Sequence, residues 1–451
     1  MPKTGPFEAD RSVTVIGGGL AGSEAAWQIA RRGVPVRLYE MRPTVMTPAH
    51  VTGNLAELVC SNSLGGDGGL SPAALLKDEL RRAGSLILAA AEVSRVEAGG
   101  ALAVDRERFS AEVTRRILEH PGIEVVREPV TALPPGPVVV ATGPLTHAAL
   151  SQHLAEFLGE RNLAFFDAAA PIVTAESVDM SRAFWGSREG EDRADYLNCP
   201  LTKEEYERFY EALITAEQHP RHDFEQDVAF FEGCLPIEEL ARRGKKTPLF
   251  GPMKPVGLKN PLEGGRRPYA VVQLRKDNAT GSLLNLVGFQ TNLRWGEQKR
   301  VFSLIPALAH AEFVRYGVMH RNTYLCSPRI LSPDLSAHKR RDLWIAGQIT
   351  GVEGYVESSA MGLLAGINAA RWRRGLPAWV PPRETMWGAL VYYITHADPD
   401  HFQPMNANYG LLPWPEAWPA PGSKQERRER LRQRALERLE AALGEEMACV
   451  G

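Results

Sequence analysis

The sequence predicts an α/β fold: a Rossmann-like dinucleotide-binding domain, built from both ends of the chain and interrupted by an α+β insertion. Three observations carry this. A strand, a glycine turn and a helix stand together near the N-terminus, in RSVTVIGGGLAGSEAAWQIARRG. A second apolar strand run, GPVVVATGPL, contains Ala141-Thr142-Gly143. A third strand, then a glycine-rich turn and a small-residue helix, comes only at residues 343–371, LWIAGQITGVEGYVESSAMGLLAGINAAR. Strands of one site at opposite ends of a chain require the middle to leave and return.

The N-terminal unit reads element by element. Val13, Val15 and Ile16 form a short buried strand, and Gly17-x-Gly19-x-x-Gly22 follows at once. Ala21 to Arg32 predicts a helix with Ala25, Ala26, Ile29 and Ala30 on its packed face, and Gly33 ends it. VPVRLY is the next strand and closes with Glu40. This order is the dinucleotide fingerprint. The glycines let backbone approach a pyrophosphate, the helix N-terminus attracts its charge, and the acid accepts from a ribose hydroxyl. A glycine-rich turn alone would fit any α/β domain; the complete unit is far more restrictive.

The two later segments choose the dinucleotide. The last helix has small residues at Ala360, Gly362, Ala365, Gly366 and Ala369. It can lie close to a flat ring, and its N-terminus can face a pyrophosphate or a flavin carbonyl edge. The three segments together resemble the FAD-binding flavoproteins of two-dinucleotide type. That resemblance implies cofactor contacts from Gly17, Gly18, Gly19, Leu20, Ala21 and Gly22, and from Glu40 and Arg42 after the second strand. It adds Val130, Thr142 and Gly143 in mid-chain, and Gly347, Gln348, Gly351, Tyr355 and Val356 at the closing motif. Gln348 stands where such proteins usually carry Asp, so a ribitol contact there is not a carboxylate. NAD as the sole cofactor is the rival reading, but it needs no closing strand–helix.

Composition bounds the rest. The chain has 451 residues, 44% hydrophobic and 24% charged, as soluble globular proteins of two or three domains do. A net charge of −2 argues against a basic coat but leaves room for a local basic patch. No run approaches eighteen apolar residues, so no membrane span is expected. The first apolar run is short and glycine-rich, unlike a secretory signal. Cys60, Cys199, Cys234, Cys326 and Cys449 are scattered and read as reduced thiols of a cytoplasmic protein. No His/Cys/Asp cluster has zinc spacing, and no metal is expected.

The expected division is 1–170 for the first part of the FAD-binding domain, 171–325 for the insertion carrying Cys234, and 326–451 for the second part with a basic C-terminal helix. The insertion has a helix at LTKEEYERFYEALITAE, with Thr202 and Glu205 as a capping box, and β-runs at PYAVVQLR and SLLNLVGFQ. Pro377, Pro381 and Pro382 read as a linker. SKQERRERLRQRALERLEAALGEE predicts a final helix opened by Ser423 and Glu426, with Leu431, Ala435, Leu439 and Ala442 as a narrow apolar stripe. Its many Arg residues fit a solvated face laced with Glu and an RNA contact equally well.

Among the thiols, Cys234 in FEGCLPIEELARRG has the most distinctive setting. Pro236 suits the first position of a helix with Glu238 and Glu239 in its first turn, running to Arg242, Arg243 and a Gly244 cap. A helix N-terminus favours thiolate; Glu232, Glu238 and Glu239 oppose it. A nucleophile and a small buried hydrophobe both fit, and the open flank at Gly233 favours the first. Cys60, in LAELVCSNSLGGDGGL, sits in a polar, glycine-rich loop on the edge where a nucleotide site is built. Cys199, Cys326 and Cys449 read as packing. His320, in YGVMHRNTYL, is either a packed core histidine or a ring for stacking on a flat ligand.

The longer runs VTVIGGGLAGSEAAW, YEMRP, LAELVCSNSL, AVDRERFS, FEGCLPIEELARRG, GPMKPVGL, NLVGFQTNLRWGEQKRVFSLIP, AEFVRYGVMHRNTY and GQITGVEGYVESSAMGLLAGINAA cover about residues 12–410. Together they resemble the folate- and FAD-dependent tRNA uracil-5-methyltransferases. The resemblance implies conversion of the T-loop uridine at tRNA position 54 to ribothymidine. A thiolate at Cys234 would add to uracil C6 and make C5 nucleophilic. Methylenetetrahydrofolate would supply the carbon through FAD, with electrons from NAD(P)H. Cys60 matches a second reactive Cys, a base for the C5 proton; His320 matches a ring that stacks on the pterin; Tyr355 lies beside the flavin. Lys254, Lys259, Arg266, Arg267 and Lys299 are candidates to line a path for the T-arm. Three rivals stand beside this reading: a longer related flavoprotein that modifies the wobble uridine, a generic NAD(P)H flavin oxidoreductase, and a non-catalytic tRNA-binding flavoprotein. The chain length and FEGCLP favour the T-loop enzyme.

Overall fold

The structure is a computed structural model that describes residues 11–159, 163–168, 170–188, 195–219, 235–278, 280–317, 319–416, 418 and 423–448; for 163–168, 319–323 and 447–448 only the backbone is described. A six-stranded sheet runs in the order Ser336–Ala337, Arg340–Ile345, Val138–Val140, Val13–Ile16, Val36–Tyr39, Ile123–Val126. Its neighbours are parallel except for the first pair. Short apolar runs make such strands because both faces are covered. Val13, Val15, Val36, Leu38 and Val138 are completely buried. Val140 pairs with Ile345, so the chain returns to the edge it left some two hundred residues earlier.

Helices Leu20–Ala30 and Tyr355–Arg373 pack backbone to backbone. A Cβ on Gly362 would lie 2.2 Å from the Ala21 carbonyl oxygen, and one on Gly366 2.7 Å from that of Ala25. Two glycines four apart on one helix thus meet two alanines four apart on the other, an approach any larger pair would prevent.

A second sheet is antiparallel throughout: Phe184–Gly186, Tyr196–Leu201, Ala270–Lys276, Leu283–Leu286, Ile172–Thr174, Phe313–Arg315. It has its own core, where Leu197, Val272, Leu274 and Leu284 meet Phe209 and Leu213 of helix Lys203–Thr215. That helix opens with the expected capping box: Thr202 Oγ1 accepts from Glu205 N, and the Glu205 carboxylate accepts from Thr202 N. Cys199 is fully buried here, and burial pushes its thiol up to about 12. Cys326 is buried in the first core. Cys449 lies outside the described residues.

Four expectations need correction. The glycine-rich stretch after Cys60 is not all loop: Ser63–Gly66 is a strand paired with Ala101–Val104. The Pro377–Pro382 stretch is packed rather than a linker. Trp379 exchanges hydrogen bonds with Asn368, and Arg371 Nε donates to Pro377 O. It leads into a further helix, Met386–His396, which Thr385 caps. Pro236 is the N-cap of helix Ile237–Arg242 rather than its first residue. In the final helix, Lys424–Ala448, Leu431, Ala435 and Leu439 are buried as the stripe predicts, but its arginines are mostly engaged within the chain. Arg427, Arg428 and Arg434 lie over Trp414, Tyr409 and Trp418, while Arg430 and Arg432 pair with Glu426 and Asp78.

Candidate functional site

A cleft opens along the C-terminal ends of the first sheet's strands. Its walls include Gly17, Gly19, Leu20 and Ala21, then Glu40 and Arg42, then Val130, Thr142 and Gly143, and finally Gly347, Gln348 and Tyr355. The position is where open α/β sheets bind ligands. The fold thus gathers contributions from four separated stretches of sequence.

The glycine turn is sterically determined. Gly17 has φ +102°, and a Cβ there would lie 2.5 Å from the Ala141 carbonyl oxygen. The helix beginning at Leu20 has no side-chain cap at Gly19 and no acid in its first turn. Other helices here are capped by Ser71, Ser85, Asp105, Thr202 or Thr385. An uncapped N-terminus facing a cleft leaves backbone N–H groups and the positive helix end for an anion.

Glu40 does more than the sequence suggests. Its carboxylate accepts from Gly18 N (2.8 Å), Arg42 N (2.9 Å), Arg42 Nε (2.9 Å) and Arg42 Nη2 (3.3 Å). Burial alone would raise its pKa, but these donors outweigh burial and hold it below the ordinary carboxylate value. Four donors fill the acceptor capacity of a carboxylate. Glu40 therefore ties the glycine turn to the second strand before any ribose is considered.

Four expected contact residues do not line the cleft but support its walls. Gly18 donates to Glu40. A Cβ on Gly22 would lie 1.7 Å from Gly17 O, and one on Gly351 2.4 Å from the Phe402 ring. Val356 is buried in the core. Sequence reading missed His147, whose buried Nδ1 has no hydrogen-bond partner among the described residues although the residue lines the cleft. Its signal was its place just beyond the Ala-Thr-Gly turn. Gln348 donates to Glu353 (2.7 Å). An uncapped helix end, close glycines and an orphaned ring nitrogen fit a dinucleotide carrying a pyrophosphate and a flat ring system.

Cys60 sits at the edge of this cleft in a loop held from three sides. The Tyr355 hydroxyl accepts from Cys60 N (2.8 Å) and Ser61 N (3.2 Å). Arg106 donates to Leu58 O (2.7 Å) and Cys60 O (3.4 Å). From the second sheet, Arg315 donates to Val59 O (2.6 Å), and Arg275 to Ser61 Oγ (3.0 Å) and Asn62 Oδ1 (2.8 Å). Burial, then the neighbouring Cys60, pushes the Tyr355 hydroxyl's pKa up, so it stays protonated. The loop is where the two sheets meet.

Cys234 lies outside the described residues, as does the side chain of His320, whose backbone pairs with Asp167 in a two-stranded ribbon. The two glutamates after Cys234 are described, and they are engaged elsewhere. Glu238 is buried and accepts from Thr291 Oγ1 (2.8 Å) and Asn292 N (2.7 Å); burial raises its pKa. Glu239 pairs with Arg242. Among the described residues no group of His, Cys, Asp or Glu is arranged to hold a metal ion. No helix among them is long and apolar enough to cross a membrane.

A profile of the family described as glucose inhibited division protein A matches residues 12–377. The chain is 63% identical over 404 residues to the methylenetetrahydrofolate--tRNA-(uracil-5-)-methyltransferase TrmFO of Moorella thermoacetica, covering 89% of this chain and 92% of that one. To the protein of the same name from Desulforudis audaxviator it is 58% identical over 438 residues, 96% of this chain and 98% of the other. Among solved structures, Aquifex aeolicus GidA superposes with a TM-score of 0.66 at 16% identity, over 96% of this chain and 73% of that one. That likeness is one of fold alone.

Proposed function

We propose, because this chain belongs to the TrmFO family within the glucose inhibited division protein A group, that it methylates C5 of the T-loop uridine of tRNA with carbon from methylenetetrahydrofolate. The observation that carries this is identity of 63% and 58% to two enzymes of that name along nearly the whole of each chain.

FAD held in this cleft would supply the redox chemistry: electrons from NAD(P)H and a route for the one-carbon unit and the hydride that completes the methyl group. The chain's own residues do the rest. The uncapped helix end at Gly19 and the Gly17–Gly19 turn bind the pyrophosphate, and Glu40 with Arg42 fixes that turn. Cys234 is the nucleophile: its sulfur bonds to uracil C6, and the electron pair released makes C5 a carbon nucleophile. Cys60 takes the C5 proton once the new carbon bond has formed; a hydride drawn from NAD(P)H through the reduced cofactor would then turn the C5 methylene into methyl as the Cys234–C6 bond breaks and its electron pair returns to sulfur. Tyr355, through the Cys60 and Ser61 amides, holds the Cys60 loop at the cleft edge. His320 stacks on the pterin of the folate. An RNA substrate supports a cytoplasmic location.

The test is a nucleoside map of tRNA treated with the FAD-loaded protein, methylenetetrahydrofolate and NAD(P)H. Ribothymidine in the T-loop is expected. Modification confined to the wobble uridine, or flavin oxidation with no RNA product, would overturn the reading.

A further inference from the structure

The chain carries a net charge of −2, yet one surface stretch departs from that balance. Residues 242–267 hold four Arg and four Lys against a single acid, Glu263. All eight cations are exposed. Arg242 pairs with Glu239 and Lys245 with Glu207. Lys246, Lys254, Arg266 and Arg267 have no ion-pair partner among the described residues. Phe250, between them, is 82% exposed at the end of the short helix Thr247–Phe250.

This surface is built rather than loose. Met253, Leu258 and Asn260 are buried anchors along it. Asn260 N donates to Arg266 O (3.0 Å) and Asn260 Oδ1 accepts from Leu262 N (3.1 Å), closing a tight turn that presents Arg266 and Arg267. Tyr206 OH donates to Lys245 O (2.6 Å). None of this work needs the cations or Phe250. Unpaired exposed cations add little to folding, and an exposed phenyl ring gains nothing from it. Exposed cations and an exposed aromatic ring carried on one stretch fit a nucleic-acid surface: charge for the backbone, a ring for an unstacked base.

The patch is also connected to the chemistry. It begins where helix Ile237–Arg242 ends, just past Cys234 in sequence. Val271 N donates to Met253 O (3.2 Å), tying it to strand Ala270–Lys276. That strand carries Arg275, which holds Ser61 and Asn62 beside Cys60.

We propose that the 242–267 surface seats the substrate RNA, with Lys246, Lys254, Arg266 and Arg267 on phosphates and Phe250 stacked on an unpaired base. The choice of RNA over another polyanion rests on the function proposed above.

The test measures binding of a T-arm stem–loop RNA to the FAD-loaded full chain by fluorescence anisotropy across a salt series. Variants are Lys246→Ala/Lys254→Ala, Arg266→Ala/Arg267→Ala and Phe250→Ser, each checked for flavin content and melting temperature. Each double variant is expected to weaken binding and to reduce the slope of log K against log salt by about 1 to 2, since each lost phosphate contact removes roughly 0.7 to 0.9. The apparent KM for RNA rises while kcat at saturating RNA holds. Phe250→Ser is expected to weaken binding about tenfold without changing the slope, within the range for one stacked base. Single variants Lys254→Gln and Arg266→Gln serve where a double variant loses its flavin. Wild-type affinity and slope in folded variants would overturn the proposal. So would loss of binding to phosphatidylserine vesicles with RNA binding unchanged. If RNA binding depends on these residues but no T-loop product forms, the proposed function fails and this surface assignment stands.

Discussion

The hydroxyl of Tyr355 accepts a hydrogen bond from the backbone N–H of Cys60 at 2.8 Å, joining the first turn of helix Tyr355–Arg373 to a loop almost three hundred residues earlier. The same oxygen takes the Ser61 amide. Tyr355→Phe removes the acceptor and leaves two amides without a partner, at about 1–3 kcal/mol for each group that stays buried. We expect FAD content to persist while methyl transfer falls at least tenfold, measured as turnover per bound flavin. Undiminished turnover would separate Tyr355 from the placement of Cys60.

Gly362 and Gly444 make a matched pair of helix glycines with opposite expectations. A Cβ at Gly362 meets the Ala21 backbone at 2.2 Å, whereas one at Gly444 meets nothing within 4 Å. Gly362→Ala should cost about 1–3 kcal/mol by forcing two helices apart, and should lower the flavin-to-protein absorbance ratio. Gly444→Ala should be neutral or stabilising by up to about 1 kcal/mol. Denaturation curves of both variants check the contrast; equal effects would mean the helix contact is not as close as described.

The Glu40–Arg42 pair predicts an acid dependence. The folded-state pKa of Glu40 lies below its ordinary 4.5, so its stabilising contribution is present above pH 4.5 and lost as pH falls through the lower folded value. Glu40→Gln removes the nearer of the two countercharges of buried Arg42, leaving Glu57 at 3.1 Å, and loses about 1–3 kcal/mol at neutral pH. The gap between wild type and Glu40→Gln should shrink below pH 4.5. A gap independent of pH would show that the hydrogen bonds matter and the charge does not.

Lys77 predicts the opposite limb. It is fully buried, with Nζ donating to Gly66 O (2.6 Å), and burial lowers its pKa from 10.5 to about 8. Between those values the unfolded chain binds more protons than the folded one, so stability rises with pH across that window. Relative to Lys77→Met, the wild type should gain up to about 3 kcal/mol from pH 8 to pH 10.5. Urea denaturation at the two pH values is the check, and a constant difference would refute the shift.

Local patterns were legible in the sequence because local physics makes them. The Gly17–Gly22 turn, the Thr202–Glu205 capping box and the Leu431–Ala435–Leu439 stripe each depend on spacings within two turns of chain. What escaped was long-range pairing. Nothing near Arg275 or Arg315 says that each reaches the Cys60 loop, and nothing near Glu238 says that Thr291 and Asn292 will bury it. The arginines of the last helix read as solvated or RNA-binding until Trp414, Tyr409 and Trp418 were seen beneath them. His147 was passed over because its significance is an unmet hydrogen bond, which only packing reveals.

Following one carbon from folate to tRNA tests the proposed reaction. The FAD-loaded protein is given carbon-13-labelled methylenetetrahydrofolate, NAD(P)H and unmodified tRNA, and its nucleosides are weighed. Ribothymidine one mass unit heavier than natural is expected, located in the T-loop and absent from the Cys234→Ala variant. Unlabelled ribothymidine, or labelled product undiminished in Cys234→Ala, would contradict it.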